Sequence, residues 1–205
     1  NKADIDTNLP LISIVGRPNV GKSTLFNRLI GKRRAITDPT PGVTRDPIPA
    51  RWLLGNHPVT LVDTGGVKLD KEGLDYAVTE KSLSILAMSD VILFLMDCME
   101  VTSEDMMLIE EVRPYTDKVV LVVNKVDDPK RDDLVWNYFS YGYQRVVGIS
   151  AAHGLGIEEL EDTILGMLDM ERTEEIPDEP DTVKLAIMGK PNTGKSTLSN
   201  RLTHS

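Results

Sequence analysis

The sequence predicts an α/β fold with a mostly parallel six-stranded sheet, one antiparallel edge strand, and helices on both faces. Two observations indicate this fold. Short apolar runs alternate with segments of helical length, and most runs are apolar at every position, as expected for strands buried on both faces. The dipeptide Gly55-Asn56 is typical of a two-residue hairpin, which joins antiparallel strands. The predicted strands are 11–15, 50–54, 59–63, 91–97, 119–124 and 145–150.

Capping residues and apolar spacing indicate helices between these strands. Gly31 is expected to end the first helix, because glycine readily adopts the left-handed conformation found after helix ends. Thr102 and Ser103 can cap a helix that continues to Val112 and that Pro114 stops. The last helix is predicted from four apolar residues that share one face at helical spacing, namely Ile157, Leu160, Ile164 and Leu168.

The composition is that of a globular chain, with 40% hydrophobic and 27% charged residues among 205. The formal net charge of −9 argues against nonspecific DNA binding, because the phosphate backbone attracts basic proteins. No apolar stretch reaches the ~18 residues of a membrane helix, and the N-terminus lacks a signal-peptide pattern. We therefore expect a cytoplasmic protein that does not contact a membrane.

Residues with redox or metal-binding chemistry are few and scattered. The single cysteine, Cys98, excludes an intramolecular disulfide and follows an apolar run, so we expect a small buried hydrophobe. No histidine has the spacing to Cys, Asp or Glu that a metal site needs, so the histidines are expected at the surface. Four methionines are expected to pack in the interior. These residues are His57, His153 and His204, and Met96, Met99, Met106 and Met107.

One peptide occurs twice, as GRPNVGKSTLFNRL at 16–29 and as GKPNTGKSTLSNRL at 189–202. An offset of 173 residues is typical of tandem domains. Between the copies, residues 171–182 contain six acids and two prolines, which predicts a solvated, extended linker. We therefore predict a first domain at 1–170, an acidic linker at 171–182, and the start of a second domain at 183–205. The chain begins without Met, so we expect it to be part of a longer protein.

The repeated peptide contains the phosphate-loop motif G-x-x-x-x-G-K-[ST], placed between an apolar strand and a helix. Its glycines let successive N–H groups face phosphate oxygens, and the helix N-terminus adds partial positive charge. In such a loop the lysine reaches the β and γ phosphates, and the serine hydroxyl can bind Mg²⁺. The expected nucleotide-binding residues are Gly16, Arg17, Pro18, Asn19, Val20, Gly21, Lys22, Ser23 and Thr24, with Gly189, Lys190, Pro191, Asn192, Thr193, Gly194, Lys195 and Ser196 in the second copy.

Three further motifs follow strand ends and indicate which nucleotide binds. Asp63 can hold Mg²⁺ through a water, and a glycine N–H after it can contact the γ phosphate. Asp127 favours guanine, because a carboxylate only accepts hydrogen bonds and guanine offers two adjacent donors where adenine has a ring acceptor. The motifs are DTGG (Asp63, Thr64, Gly65 and Gly66), NKVD (Asn124, Lys125 and Asp127 among its residues) and SAA (Ser150, Ala151 and Ala152).

These motifs in this order resemble the Ras-like superfamily of P-loop GTPases over residues 11–170. TPGVTRD at 40–46, with GRPNVGKS and DTGG, resembles the bacterial TrmE–Era–Der class. The tandem phosphate loops and acidic linker are similar to the Der (EngA) family of double GTPases. This resemblance implies GTP hydrolysis, a role in assembly of the large ribosomal subunit, and ribosome or rRNA as partner. It also implies a KH-like domain, while no second D-x-x-G or N-K-x-D follows Ser196 in this chain.

The resemblance also implies roles for individual residues. The catalytic residues would be Lys22, Thr44 and Gly66. Mg²⁺ would be held by Ser23, Thr44 and Asp63, and Asn19 would help to hold K⁺ beside the phosphates. Pro18-Asn19 can alternatively shape the turn. Residues 32–46 are expected to form a loop that orders with the nucleotide, or else a rigid connection.

Val67 stands where many Ras-like enzymes have a glutamine that orients water, so hydrolysis is expected to be slow without K⁺ or a partner. Two alternatives remain open. The protein could be a nucleotide sensor with negligible hydrolysis, or a P-loop kinase for a small molecule, against which Asp127 argues. The sequence assigns no role to Arg45.

Overall fold

The computed structural model describes residues 5, 8–31, 47–65, 67–69, 76–78 and 80–169. The chain divides into a unit of residues 1–174 and a unit of residues 175–205, and every described residue belongs to the first. The predictions for Thr44, Arg45, Gly66 and His204, for the linker and for the second phosphate loop therefore lie outside the described residues.

The six strands of the main sheet are β1 (Leu11–Gly16), β2 (Ile48–Leu54), β3 (His57–Asp63), β6 (Val91–Asp97), β7 (Val119–Asn124) and β8 (Val146–Gly148). They lie in the order β2-β3-β1-β6-β7-β8, and only the pairing of β2 with β3 is antiparallel. This confirms the predicted α/β class with its antiparallel edge strand. A separate two-stranded sheet pairs β4 (Val67–Leu69) with β5 (Tyr76–Val78).

Helices cover both faces of the sheet. The two faces present different residues, because successive side chains of a strand point to opposite sides. Five α-helices lie in the described residues: α1 (Lys22–Ile30), α2 (Glu80–Met88), α3 (Ser103–Val112), α4 (Asp132–Trp136) and α5 (Ile157–Met167). Strand residues such as Leu93 and Val122 join a cluster with residues of α1 and α5. Their neighbours Phe94 and Val123 join a second cluster, with residues of α2 and α3.

The predicted turns and caps have the expected geometry. Gly55 and Asn56 both have positive φ, as a tight hairpin requires, and Gly31 ends α1 in the left-handed conformation. Thr102 caps α3 in a capping box with Asp105. Leu160 and Ile164 of α5 are completely buried, as their spacing predicts.

Four details differ from the sequence-based expectation. Helix α3 ends at Val112 as predicted, but an unpredicted 3₁₀ helix, Arg113–Lys118, follows it, and the first positions of that helix tolerate proline. The last strand is shorter than 145–150, and Ser150 instead forms an isolated bridge with Leu155. Only Met96 of the four methionines is buried; the other three, Met99, Met106 and Met107, are exposed. His57, expected at the surface, is half-buried, and its Nδ1 atom is covered.

Candidate nucleotide site

The predicted site lies at the carboxyl edge of the sheet, where ligands bind in open α/β folds. The phosphate loop connects β1 directly to α1. Asn19 and Gly21 have positive φ, and a Cβ on Gly21 would clash with Nδ2 of Asn124. Glycine is therefore required at position 21 by both backbone conformation and space.

Lys22 lies across its own loop. Its Nζ donates to the carbonyl oxygens of Gly16 at 2.7 Å and of Arg17 at 3.1 Å. The side chain is buried, so the ammonium is held in a fixed place beside the loop N–H groups. This position suits a cation that contacts the terminal phosphates of a nucleotide.

Ser23 and Asp63 place two oxygen ligands side by side, in an arrangement that fits Mg²⁺. The Ser23 hydroxyl donates to Oδ2 of Asp63 at 3.3 Å, and the other carboxylate oxygen accepts from the Gly65 N–H at 3.1 Å. Asp63 is completely buried, and a buried carboxylate next to a hydroxyl is the donor set that a hard cation prefers. Thr64 makes a different contact, since its hydroxyl donates to the Ile14 carbonyl at 2.9 Å.

Asp127 lies at the rim of the site and is held from two sides. Ser150 donates its hydroxyl to Oδ1 at 2.8 Å, and Arg131 approaches Oδ2 at 3.5 Å. Both contacts orient the carboxylate, whose oxygens accept hydrogen bonds, as the two adjacent donors of guanine require. The sequence did not indicate Arg131, although its i+4 position in the turn after NKVD places it beside Asp127.

Lys125 has a positive φ of 69° and links the NKVD motif, on the base side of the site, to the phosphate loop. Its Nζ forms an ion pair with Oδ2 of Asp97 at 2.9 Å and contacts the Asn19 carbonyl at 3.4 Å. Its own carbonyl accepts from Arg131 at 2.8 Å and from Cys98 at 3.2 Å. The sequence did not identify Asp97, although a charged residue at the end of a buried strand is a usable signal.

Burial alone would raise the pKa of Asp97, but hydrogen bonds from the Met99 N–H and Lys125, with the Lys125 charge, outweigh it and lower that pKa. The neighbouring thiol behaves in the opposite way. Burial and the Asp97 charge raise the pKa of Cys98. Cys98 is therefore a buried, protonated thiol, as expected from the sequence.

Asn124 joins the two sides of the site. Its Nδ2 donates to the Val20 carbonyl at 2.9 Å, and its Oδ1 accepts from the Ala151 N–H at 2.9 Å. Arg28 of α1 adds a second tie, donating to the carbonyls of Ala151 at 3.0 Å and Ala152 at 2.8 Å. The structure thus brings together residues of the phosphate loop, NKVD and SAA.

Within the described residues, no three side chains of His, Cys, Asp or Glu come together as metal ligands. The described helices are also too short or too polar to span a bilayer.

Comparison with known proteins identifies the family of this chain. The family described as 50S ribosome-binding GTPase matches residues 11–125 and 184–205, so both phosphate loops fall within matched regions. GTPase Der of Treponema pallidum is 43% identical over 201 residues, covering 95% of this chain and 43% of the relative. GTPase Der of Symbiobacterium thermophilum is 41% identical over 196 residues, covering 94% and 41%. The chain thus spans less than half the length of these relatives.

Solved structures agree on the fold. An Era variant of Aquifex aeolicus bound to GDP and AlF₄⁻ superposes with a TM-score of 0.67 at 31% identity, covering 83% of this chain and 59% of that one. Era with MgGDPNP and nucleotides 1506–1542 of 16S ribosomal RNA gives 0.65 at 29% identity, covering 84% and 59%. The Ras-like fold and the resemblance to Der predicted from the motifs are thereby confirmed. The chain belongs to the family of 50S ribosome-binding GTPases and spans the first G domain of a Der-like relative.

Proposed function

We propose that this chain binds GTP and GDP through its first G domain and hydrolyses GTP to GDP and phosphate as a molecular switch. The observation that carries the proposal is Asp127, an acceptor-only group held by Ser150 and Arg131 at the rim of the site. Asn124 forms hydrogen bonds to both the phosphate loop and the adjoining Ala151 loop. The segments that would bind the base and the phosphates are therefore connected through one side chain.

Each described residue has a separate task in this proposal. Loop N–H groups and Lys22 would bind the phosphates and stabilise the charge that develops during transfer. Ser23 and Asp63 would hold Mg²⁺, which supplies charge neutralisation when bound. Thr44 and Gly66 remain proposed on the motif alone, as does Asn19 as a K⁺ ligand. Val67 offers no hydrogen bond to water, which supports slow turnover without K⁺ or a partner.

The base preference is tested by calorimetry with GDP, ADP and xanthosine diphosphate. The protein should bind GDP at least ~100-fold more tightly than ADP. Asp127→Asn should shift preference from guanosine toward xanthosine, because an amide can donate to the extra xanthine oxygen. Asp128→Asn is the matched control, since Asp128 lies next in the chain but accepts no described hydrogen bond from Ser150. Equal binding of ADP and GDP by the wild type would refute the proposed base pocket.

Hydrolysis is tested by phosphate release from GTP in KCl and in NaCl at matched ionic strength. We expect faster release in KCl. Equal rates would remove K⁺ from the proposal. Negligible release in both salts would favour the sensor alternative, whereas phosphate transfer only in the presence of a small acceptor would favour the kinase alternative.

We further propose that the complete protein acts in the cytoplasm in assembly of the large ribosomal subunit. The support is the family's description as 50S ribosome-binding GTPases and the relatives named GTPase Der. One solved relative, Era, is in complex with ribosomal RNA. Co-sedimentation of the full-length protein with purified 50S subunits tests this, with GDP and a non-hydrolysable GTP analogue compared. Absence of binding in both states would refute the ribosomal role.

A further inference from the structure

Arg17 belongs to the phosphate loop, yet its side chain is bound to the start of α3. Its Nε lies 3.0 Å from Oδ2 of Asp105, and its Nη2 lies 3.7 Å from Oε2 of Glu100. Only 12% of the Arg17 side chain is exposed, and the Asp105 side chain is completely buried. The 88 residues between the partners make this a tertiary contact that the sequence motif does not contain.

Asp105 also organises the segment that precedes α3. The same Oδ2 atom accepts from the Thr102 N–H at 2.8 Å and from the Thr102 hydroxyl at 3.3 Å. One carboxylate oxygen therefore serves both the helix cap and the phosphate loop. Any movement of Asp105 would change both.

The main chain of Arg17 is fixed at the same time by the lysine of the site. Lys22 Nζ donates to the Arg17 carbonyl at 3.1 Å as well as to that of Gly16. The orientation of this peptide group thus depends on Lys22 on one side and, through the side chain, on Asp105 on the other. A rotation here would move both the lysine and the loop N–H groups.

The ion pair between Arg17 and Asp105 lacks the complete hydrogen bonding that a stabilising buried pair needs. Arg17 Nη2 and Asp105 Oδ1 are buried without a hydrogen-bond partner. Buried polar atoms without a hydrogen bond, together with two desolvated charges, offset much of the attraction between Arg17 and Asp105, so such a pair contributes little net stability. This favours a role in positioning.

We propose that Arg17 is a positioning residue whose ion pair with Asp105 holds the phosphate loop in its phosphate-binding conformation and links it to the start of α3. The inference rests on the proposed function, since it concerns how the same site binds GDP. It assigns the Arg17 side chain no contact with the nucleotide.

The test is a double-mutant cycle on GDP affinity, with Arg17→Met, Asp105→Asn and the double variant. Each single variant should bind GDP about tenfold more weakly, because a buried charge-assisted hydrogen bond is lost. The double variant should be no weaker than Arg17→Met, because both changes break one interaction. Urea unfolding of each variant gives stability separately.

A matched control is the exposed pair of Arg113 and Glu110, at the other end of α3, whose Nε and Oε2 lie 3.1 Å apart. Arg113→Met should leave GDP affinity within about twofold of the wild type. If Arg17→Met lowers only the unfolding free energy and keeps wild-type GDP affinity, the pair is merely structural and the proposal is wrong. Additive losses in the double variant would also refute it.

Two outcomes need a separate reading. If the wild type fails to bind GDP, the proposed function fails first, independently of Arg17. If Arg17→Met does not fold, Arg17→Lys decides, because it keeps a cation beside Asp105 but loses the planar guanidinium. An affinity about threefold weaker than wild type supports the positioning role, and an unchanged affinity contradicts it.

Discussion

The phosphate side and the base side of the site are built in different ways. The phosphate loop is one continuous segment, whose shape follows from backbone conformations at Asn19 and Gly21 and from the contacts of Lys22 within the loop. The base side consists of separate loops after β7 and β8, which Ser150 and Asp127 join to each other and Arg28 joins to α1. A local motif thus specifies the course of the phosphate loop, to which the Arg17–Asp105 pair adds one tertiary contact, whereas the base pocket is assembled from segments that are distant in the sequence.

The largest expected effect on nucleotide affinity comes from the phosphate side of the site. Lys22→Ala should weaken GTP binding by about 10³-fold or more, because the buried cation beside the loop is lost. Isothermal calorimetry measures this directly. Lys195→Ala is the matched control from the second phosphate loop, and it should retain guanine selectivity, since NKVD follows the first loop. If Lys195→Ala instead abolishes binding, the first loop is not the principal site.

Asn124→Ala should disturb both sides together. It leaves the Val20 carbonyl and the Ala151 N–H without their amide partner, which should lower the unfolding free energy by about 2 kcal/mol. GDP affinity should fall about 30-fold as the two sides lose their link. Urea unfolding and calorimetry measure the two effects. The exposed Asn137→Ala is the control. A loss of stability with unchanged affinity would show that the two sides bind independently.

Arg131→Met should affect the base side alone. Asp127 would lose one of its two described partners, and the Lys125 carbonyl would lose a donor at 2.8 Å. Because Arg131 is partly exposed, we expect only about a threefold loss in GDP affinity. Lys130→Met provides the neighbouring control, and competition between GDP and inosine diphosphate shows whether base contacts are involved. An equal loss in Lys130→Met would indicate a general charge effect.

The smallest effect concerns pH. The pKa of Asp97 lies below its ordinary value of 3.8, so the stabilisation from its pair with Lys125 is fully present above that value and is lost as pH falls through the folded pKa. The stability difference between the wild type and Asp97→Asn should be constant from about pH 7 to pH 5 and shrink below about pH 4. A difference that grows on acidification would contradict the assigned pair.

The sequence predicted the parts of the fold that local rules determine. All six strands of the main sheet follow from apolar runs, and the hairpin follows from Gly55-Asn56, because these residues adopt positive φ readily. The β4–β5 hairpin was not predicted, since strands of three residues give no measurable alternation. The 3₁₀ helix after α3 was also missed, because proline was interpreted as a stop.

The sequence predicted the motifs of the site but not the side chains that hold those motifs in place. Asn124 and Ser150 were expected to contact the nucleotide, which stays a prediction; in the structure they connect protein loops. Arg28 lies 123 residues from the carbonyl of Ala151 that it binds. No local pattern marks such a partner, because its position depends on how α1 packs beside the last loop.

The buried thiol of Cys98 has a practical consequence. It is the chain's single cysteine, it follows the carboxylate that pairs with Lys125, and its own proton points to the Lys125 carbonyl. Alkylating reagents can reach it only when this segment opens, so the rate of thiol labelling reports local opening on the base side without an introduced probe. Saturation with GDP should slow that labelling, in a measurement that needs no catalytic turnover.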